Sequence, residues 1–214
     1  MIGFRNVLLI LLMAAQSAMA IEEPSFEVLH VADDYEVRRY APFIVAEVDV
    51  EGPMDEAGGT AFRILAGYIF GDNEPRVKMA MTAPVTTRPA ADGERMRMTA
   101  PVLAEPAAAE RDAYTFAFVM ESRYSMDTLP QPIDSRIRLV EKPARVIVAR
   151  RYSGSWSEKK YLDNKAKLLA ALEADGVAVA GIPYFARYNS PFAPWFLRRN
   201  EVLVEVSWPP ADEG

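Results

Sequence analysis

Few side chains in this 214-residue sequence could carry out covalent or metal chemistry. The sequence contains no cysteine, which excludes thiolate catalysis and cysteine-ligated metals. Its single histidine, His30, is the only candidate for a general base, a catalytic triad or an imidazole ligand. Because His30 follows Leu29 at the end of a predicted strand, with no neighbouring ligand pattern, we expect an exposed histidine at a strand edge. The acidic residues show no paired spacing that would indicate carboxylate hydrolysis.

Methionines are concentrated in a repeated segment, Met-Thr-Ala-Pro-Val, at Met81–Val85 and again at Met98–Val102. Each copy has a further methionine two residues earlier, Met79 and Met96. A thioether can ligate haem iron, and methionine-rich surfaces suit flat ligands; alternatively, these side chains fill irregular space between a sheet and its helices. The Asp92–Gly93 turn between the copies and the alternation of apolar residues predict a β-hairpin whose strands each end at the proline.

Composition and charge exclude other classes of protein. Half of the residues are hydrophobic and a quarter are charged, as in ordinary globular proteins. The net charge of −6, without a basic run, argues against nucleic-acid binding. Arg5, the apolar run Val7–Met13 and the small residues before Ile21 predict a secretory signal peptide over residues 1–20, with an uncleaved N-terminal anchor as the alternative. We therefore expect a periplasmic or secreted protein without stable membrane insertion after cleavage, in which residues 21–214 form a single domain.

A strand–helix–strands pattern begins near residue 43. Alternating apolar residues over Phe43–Glu51 predict a strand. A helix follows, from the plausible N-cap Asp55 to about Phe70, and Gly71 is its expected stop.

The same pattern occurs again about a hundred residues later. Arg145–Tyr152 is a predicted strand, and Ser155 or Ser157 caps a helix that runs to about Asp175 and is closed by Gly176. Further strands are predicted at Glu27–Val31, Tyr35–Tyr40, Tyr114–Met120, Ile137–Glu141, Tyr184–Tyr188 and Glu201–Val206, with loops at Ala104–Asp112 and Leu129–Ile133. Neither half alone would cover its sheet, so we expect one α+β domain in which duplicated β-α-β-β units form a distorted antiparallel β-barrel flanked by two main helices.

The first predicted helix has two contrasting faces. At 100° per residue, the face that should pack on the sheet consists of Ala61, Ile64, Leu65 and Tyr68. The opposite face is flat apart from one arginine and a terminal aromatic ring; its residues are Gly59, Arg63, Ala66, Gly67 and Phe70. Because arginine pairs well with carboxylates, this face could hold a planar ring that bears carboxylates. There are two alternatives. The face is an ordinary helix surface that tolerates small residues, or its glycines let another segment of the chain approach closely.

Three motifs, in order along the chain, resemble the SOUL/haem-binding-protein family. They are Tyr35–Tyr40, Lys78–Val85, and Tyr188–Pro191 followed by Arg198–Val202. The resemblance covers most of the chain after residue 20 and implies a duplicated domain with a distorted antiparallel barrel and two helices. Members bind haem and other tetrapyrroles, and no common catalytic reaction is established for them. The resemblance therefore implies a protein that holds haem or a related tetrapyrrole non-covalently, for buffering or transport, and that is not an enzyme.

One position departs from the family pattern. Some members have a histidine, proposed as a haem ligand, where this sequence has Arg39. Arginine stays protonated and cannot serve as an ordinary axial ligand. The resemblance therefore implies the mode described for other members, in which an apolar surface and basic partners of the propionates hold the ring, and Arg39 joins the helix face as a predicted binding residue. His30 could ligate iron only if the N-terminal segment folded over the pocket.

The segment from Tyr188 to Arg199 predicts an aromatic, proline-rich loop that ends in two cations. Its rings could stack on a tetrapyrrole or contact a partner protein; alternatively the loop folds back, burying Trp195 and Phe196 and placing Arg198 in an internal ion pair. The second hypothesis is therefore a binding scaffold of the same fold for another apolar small molecule or a protein partner. The third hypothesis is that the protein is an enzyme.

Overall fold

A computed structural model of the chain describes residues 22–75, 93–106, 113–189 and 193–209. Its helices are α1 Met54–Phe70, α2 Glu158–Ala174 and the 3-10 helix Trp195–Leu197. Its strands are β1 Phe26–Val31, β2 Glu36–Tyr40, β3 Phe43–Glu51, β4 Asn73–Glu74, β5 Val102–Pro106, β6 Ala113–Val119, β7 Gln131–Pro132, β8 Arg138–Lys142, β9 Arg145–Tyr152, β10 Tyr184–Arg187 and β11 Asn200–Glu205. None of the helices in these ranges has the length and apolar character needed to cross a membrane. The predicted signal peptide and the first methionine-rich copy, with Met79 and Met81, lie outside the described residues.

Nine of the described strands form one curled antiparallel sheet, a half-barrel, in the order β1-β2-β9-β11-β10-β5-β6-β3-β8. The order is symmetric about the β10–β5 pair. In the first half β3 pairs with β6 and β6 with β5; in the second half β9 pairs with β11 and β11 with β10. The two halves also exchange strands. β2, which precedes β3 in the chain, pairs with β9, and β8, which precedes β9, pairs with β3. The predicted fold class, a duplicated α+β domain with a distorted barrel, is confirmed.

Both helices cover the same face of the sheet. Ala61, Leu65 and Tyr68 of α1 are fully buried, as predicted, and Leu168 and Leu172 of α2 are equally buried. Successive residues of the sheet belong to two different apolar clusters, because side chains alternate between its faces. The helix-bearing face includes Val37, Val48, Phe116, Phe118, Val148 and Val204, and the opposite face includes Tyr40, Val45, Leu103, Ile147, Tyr184 and Leu203.

The helix termini follow local chemistry, with one correction. α1 begins at Met54 rather than after Asp55, because the carbonyl of Pro53 already accepts the Ala57 N–H at 2.9 Å; the predicted N-cap Asp55 is therefore wrong. Gly71 ends this helix with a φ of 125°, as predicted. α2 is capped by Ser157, whose hydroxyl accepts a hydrogen bond from the Lys160 N–H.

The predicted hairpin strand over Met96–Ala100 is wrong. The backbone donors of this segment go to separate elements: the N–H of Met96 donates to the Ile69 carbonyl and that of Ala100 to the Glu22 carbonyl, each at 2.8 Å. The described residues of this segment form no continuous ladder. The predicted strand was to end at Pro101, but a strand, β5, begins just after that proline and occupies part of the predicted loop at 104–112. Met96 is 5 % exposed, which confirms core packing for this methionine.

Candidate functional site

The predicted binding face of α1 is open around Gly59 and Arg63. Gly59 and Arg63 are exposed, and Phe70 is 54 % exposed. No atom lies within 4 Å of the position that a Cβ of Gly59 would take. Arg63 makes no hydrogen bond or ion pair with any described residue. The structure therefore places a flat surface and an unpaired guanidinium side by side on this helix.

The same face is closed at Ala66 and Gly67. Ala66 is 8 % exposed, so it belongs to the core and not to an open surface. A Cβ at Gly67 would lie 2.6 Å from Oδ2 of Asp72, and the Asp72 N–H donates to the Gly67 carbonyl at 2.9 Å. Gly67 thus allows a close approach by the chain after the helix, which was the alternative explanation. Ala66 and Gly67 therefore do not lie on the open part of this face, and their contact with a ligand stays a prediction.

A groove of about 290 Å³ borders Arg63 on the side of the β7–β8 connection. It is lined by Thr60, Arg63, Ile64, Tyr68, Asp72, Asp134, Arg136 and Ile137. The guanidinium of Arg136 is already bound to both oxygens of Asp134, at 2.6 to 3.2 Å, and these hydrogen bonds lower the pKa of Asp134 to about 2. Among the lining residues, Arg63 is therefore the guanidinium that remains for an incoming carboxylate.

Aromatic rings and cations also meet between the two helices, and we call this group the interhelical cluster: Gly58, Trp156, Phe185, Arg187 and Arg198. The Arg187 guanidinium lies 4.6 Å from the Phe185 ring centre and 5.0 Å from that of Trp156, and Arg198 lies 4.4 Å from Trp156. A Cβ at Gly58 would lie 3.8 Å from Arg187. The indole N–H of Trp156 is inaccessible to solvent and has no hydrogen-bond partner. Sequence reasoning missed this cluster because its members come from α1, β10 and two connections, and no local spacing links them.

The histidine lies in a separate groove of about 520 Å³, between the β1–β2 turn and the C-terminal end of α2. His30 is exposed on β1, the edge strand of the sheet, which confirms the expectation from the sequence. Its ring centre is 5.5 Å from that of Trp208. Asp33, Asp34 and Asp175 line the groove beside the negative end of the α2 dipole. These charges would repel propionates, so this groove does not suit a haem whose propionates point inward.

Arg39 is not part of the α1 surface. It lies on β2 and pairs with Glu27 at 3.0 Å, both side chains being more than half exposed. β9, β11, β10 and β5 lie between β2 and β6, and α1 packs over β6 and β3. The structure therefore does not bring Arg39 next to the first helix, and its role in binding stays a prediction.

Two of the family-like motifs meet in a buried ionic network that contains Arg38, Tyr188, Arg199 and Glu201. Glu201 is fully buried and accepts hydrogen bonds from Arg38 at 2.8 and 3.2 Å, from the Tyr188 hydroxyl at 2.6 Å and from Arg199 at 3.0 Å. Burial would raise the pKa of Glu201, but the hydrogen bonds and charges of Arg38, together with those of Tyr188 and Arg199, hold that pKa below its ordinary value. These motif residues therefore bind one another across β2, β11 and the segment after β10.

The two aromatic rings shortly before β11 are exposed to solvent. Trp195 is 60 % exposed and Phe196 is 58 % exposed. The alternative that buried both rings is therefore wrong.

Comparison with known proteins agrees with this fold. A family model described as "SOUL heme-binding protein" matches residues 21–205. The chain belongs to this family. It is 28 % identical over 202 residues to "Heme-binding protein 2" of Homo sapiens, covering 88 % of this chain and 92 % of the relative. It is also 28 % identical over 170 residues to "Heme-binding protein 1" of Xenopus tropicalis, covering 78 % of this chain and 81 % of the relative.

Solved structures share the fold at lower sequence identity. The EcmrR C-terminal domain superposes with a TM-score of 0.57 at 10 % identity, covering 81 % of this chain and 98 % of that domain. A hydrolase from Listeria innocua superposes with a TM-score of 0.54 at 15 % identity, covering 84 % of this chain and 94 % of that one. At these identities the likeness shows the fold alone.

Proposed function

We propose that this protein binds haem or a related tetrapyrrole non-covalently, on the open part of α1. Membership of the SOUL family and the names of the relatives support the ligand class. One observation supports this location of the binding site: the Arg63 guanidinium is exposed, has no partner among the described residues and lies beside the open space at Gly59.

The residues of this surface fit a planar ring with carboxylates. Gly59 leaves the ring free to approach the helix backbone, and Arg63 can bind a propionate through two parallel hydrogen bonds. Phe62 and Phe70, 39 % and 54 % exposed, add apolar contact area at the sides. A bound haem would supply an iron centre with its own ligand and redox chemistry. The single histidine lies in a different groove, so these residues hold the ring by its faces and its propionates.

The test is a haemin titration of residues 21–214 followed by Soret absorbance, comparing Arg63→Ala with Arg151→Ala. Arg151 is a matched control because it is also exposed and has no described partner. A charge-assisted hydrogen bond contributes about 1.5–3 kcal/mol, so we expect one haem per chain and a roughly ten-fold or greater loss of affinity in Arg63→Ala only. Equal losses in both variants would indicate non-specific attraction, and the absence of saturation would overturn haem binding.

The interhelical cluster is the second location for the same ligand, favoured by the unpaired indole N–H of Trp156 beside Arg187 and Arg198. A buried donor without an acceptor is costly, and a propionate oxygen would satisfy it. If Arg63→Ala binds haemin normally, Trp156→Phe should weaken binding, because it removes the N–H and keeps an aromatic ring.

Binding another apolar molecule is the alternative function. The groove of about 520 Å³ that contains His30 and Trp208 has a volume typical of ligand sites. Quenching of tryptophan fluorescence by an apolar compound, with no competition from haemin, would favour this function.

The biological role that we propose is buffering or transport of the tetrapyrrole after export, without catalysis. Family membership supports a binding role. Arg5 and the apolar run that follows support the proposal of a signal peptide cleaved after Ala20 and of export to the periplasm or the cell exterior. N-terminal sequencing of the exported protein tests this: a first residue other than Ile21 would contradict the cleavage site.

A further inference from the structure

The 3-10 helix carries an unusual amount of exposed apolar surface. Trp195, Phe196 and Leu197 are 60 %, 58 % and 66 % exposed, and they are the only run of consecutive large apolar residues that is exposed in the described part of the chain. The rings of Trp195 and Phe196 meet edge to face, with their centres 5.6 Å apart. We call these three residues the apolar tip.

The base of the apolar tip is firmly held. The Leu197 N–H donates to the Pro194 carbonyl at 3.0 Å, and the Arg199 N–H donates to the side chain of Asn189. The Arg199 guanidinium is bound to the fully buried Glu201 at 3.0 Å. The residue at each end of the apolar tip, Pro194 and Arg199, is therefore held by hydrogen bonds while the three side chains stay exposed.

The directions in which the three side chains project favour a lipid bilayer over a folded protein as the partner. Consecutive residues of a 3-10 helix point about 120° apart, so Trp195, Phe196 and Leu197 project in three different directions. A folded partner with one flat surface would leave at least one of these three side chains in water. The interfacial region of a lipid bilayer can surround all three, and tryptophan is enriched there because its ring is apolar and its N–H is polar.

Positive charge lies beside the apolar tip, although the chain as a whole carries a net charge of −6. The ammonium of Lys160 lies 5.8 Å from the Trp195 ring centre, and it makes no ion pair with any described residue. Arg198, the residue after the tip, lies over Trp156. Glu158 is the acidic residue of the first turn of α2, next to this region. Apolar rings beside cations are the combination that binds membranes with anionic headgroups.

We propose that the apolar tip docks this protein peripherally on an anionic phospholipid surface. Trp195, Phe196 and Leu197 enter the headgroup and acyl boundary, and Lys160 pairs with the headgroups. This contact does not span the bilayer and does not use the tetrapyrrole site around Arg63.

The test is flotation of residues 21–214 with phosphatidylcholine vesicles that contain or lack phosphatidylglycerol. We expect binding to the anionic vesicles and binding weaker by about ten-fold or more to phosphatidylcholine alone. The triple change Trp195→Ser, Phe196→Ser and Leu197→Ser should abolish flotation, and Lys160→Gln should weaken it about five-fold. The matched control is Val31→Ser with Ile133→Ser, which removes apolar side chains of equal exposure, 66 % and 65 %, elsewhere on the surface and should float normally.

A second measurement separates insertion from simple adsorption. Lipids brominated on their acyl chains should quench the tryptophan fluorescence of the unmodified chain, and Trp195→Phe should lose this quenching while it still floats. Circular dichroism checks that each variant is folded. Equal flotation of the triple variant and the unmodified chain would overturn the proposal, as would no flotation with anionic vesicles. A concentration-dependent dimer that the triple variant loses, without vesicle binding, would also overturn it and assign the tip to self-association.

Discussion

Glu201→Gln should destabilise the fold strongly although it changes the shape of the side chain very little. Glu201 is fully buried, and its carboxylate binds Arg38, Arg199 and the hydroxyl of Tyr188. The amide keeps one acceptor oxygen and loses the charge, so two guanidinium groups lose their shared buried counter-ion.

The expected magnitude follows from burial. Removing one partner of a buried ion pair costs about 3–5 kcal/mol. Arg38 keeps Glu36 at 2.8 Å and Arg199 keeps Glu23 at 2.9 Å, which limits the loss to the lower end, about 3 kcal/mol. For a chain of this size that loss corresponds to a decrease in Tm of about 6–12 °C.

The assay is urea unfolding monitored by circular dichroism at several pH values. The folded pKa of Glu201 is lower than its unfolded pKa, so its stabilising contribution is complete above the unfolded pKa, about 4.3, and is lost as the pH falls through the folded pKa. The difference in the free energy of unfolding between the unmodified chain and Glu201→Gln should therefore be constant near neutrality and become smaller below about pH 4.

Glu36→Gln is the control, since Glu36 pairs with the same Arg38 but its side chain is 41 % exposed. It should cost less than about 1 kcal/mol. If Glu201→Gln cost no more than this control, or if the difference persisted unchanged at acid pH, the network would not be the stabilising element described above.

Three further changes test other parts of the structure. Gly59→Ala should stabilise the fold by up to about 1 kcal/mol in thermal unfolding, because a Cβ meets open space in a helix; the same variant should bind haemin more weakly in a Soret titration if the ring lies on that surface. Asn73→Ala should cost about 2–3 kcal/mol in urea unfolding, because the buried amide donates to the Tyr68 and Glu94 carbonyls, each at 2.7 Å; a loss below 0.5 kcal/mol would contradict that role. Ser157→Ala should cost about 0.5–1 kcal/mol in the same assay, since its capping hydrogen bond is long, 3.4 Å.

Features with a local period could be predicted from the sequence. The alternation over Phe43–Glu51 gave this strand with its true ends, and Gly71 marked the end of α1. β5 was missed because Pro101 before it, Pro106 at its end and the run of alanines after Pro106 in the sequence resemble a loop. The repeated methionine segment was misinterpreted because alternation predicts a ladder only where a partner strand is present, and the donors of Met96 and Ala100 serve distant carbonyls.

The site was harder to predict than the fold. Helical periodicity placed Gly59 and Arg63 correctly on the exposed side of α1. It could not show that Asp72 would cover Gly67, because that contact depends on how the chain turns after the helix. The interhelical cluster and the network around Glu201 join residues far apart in the chain, and no spacing within one segment indicates such pairs.

The exchange of strands between the two halves has a consequence for how the chain folds. β2 pairs with β9, with Glu36 opposite Ala149, so this contact spans roughly a hundred residues of sequence. Contacts of such high sequence separation are slow to form, because the entropy of closing the loop is lost before the pairing can stabilise it. A growing chain that ends before β9 would hold β2 with β1 as its one neighbour in the sheet and leave Val37 without part of its core. We therefore expect folding to be slow and to start only when both halves are present, and two complementary fragments divided between β7 and β8 should assemble into one native sheet.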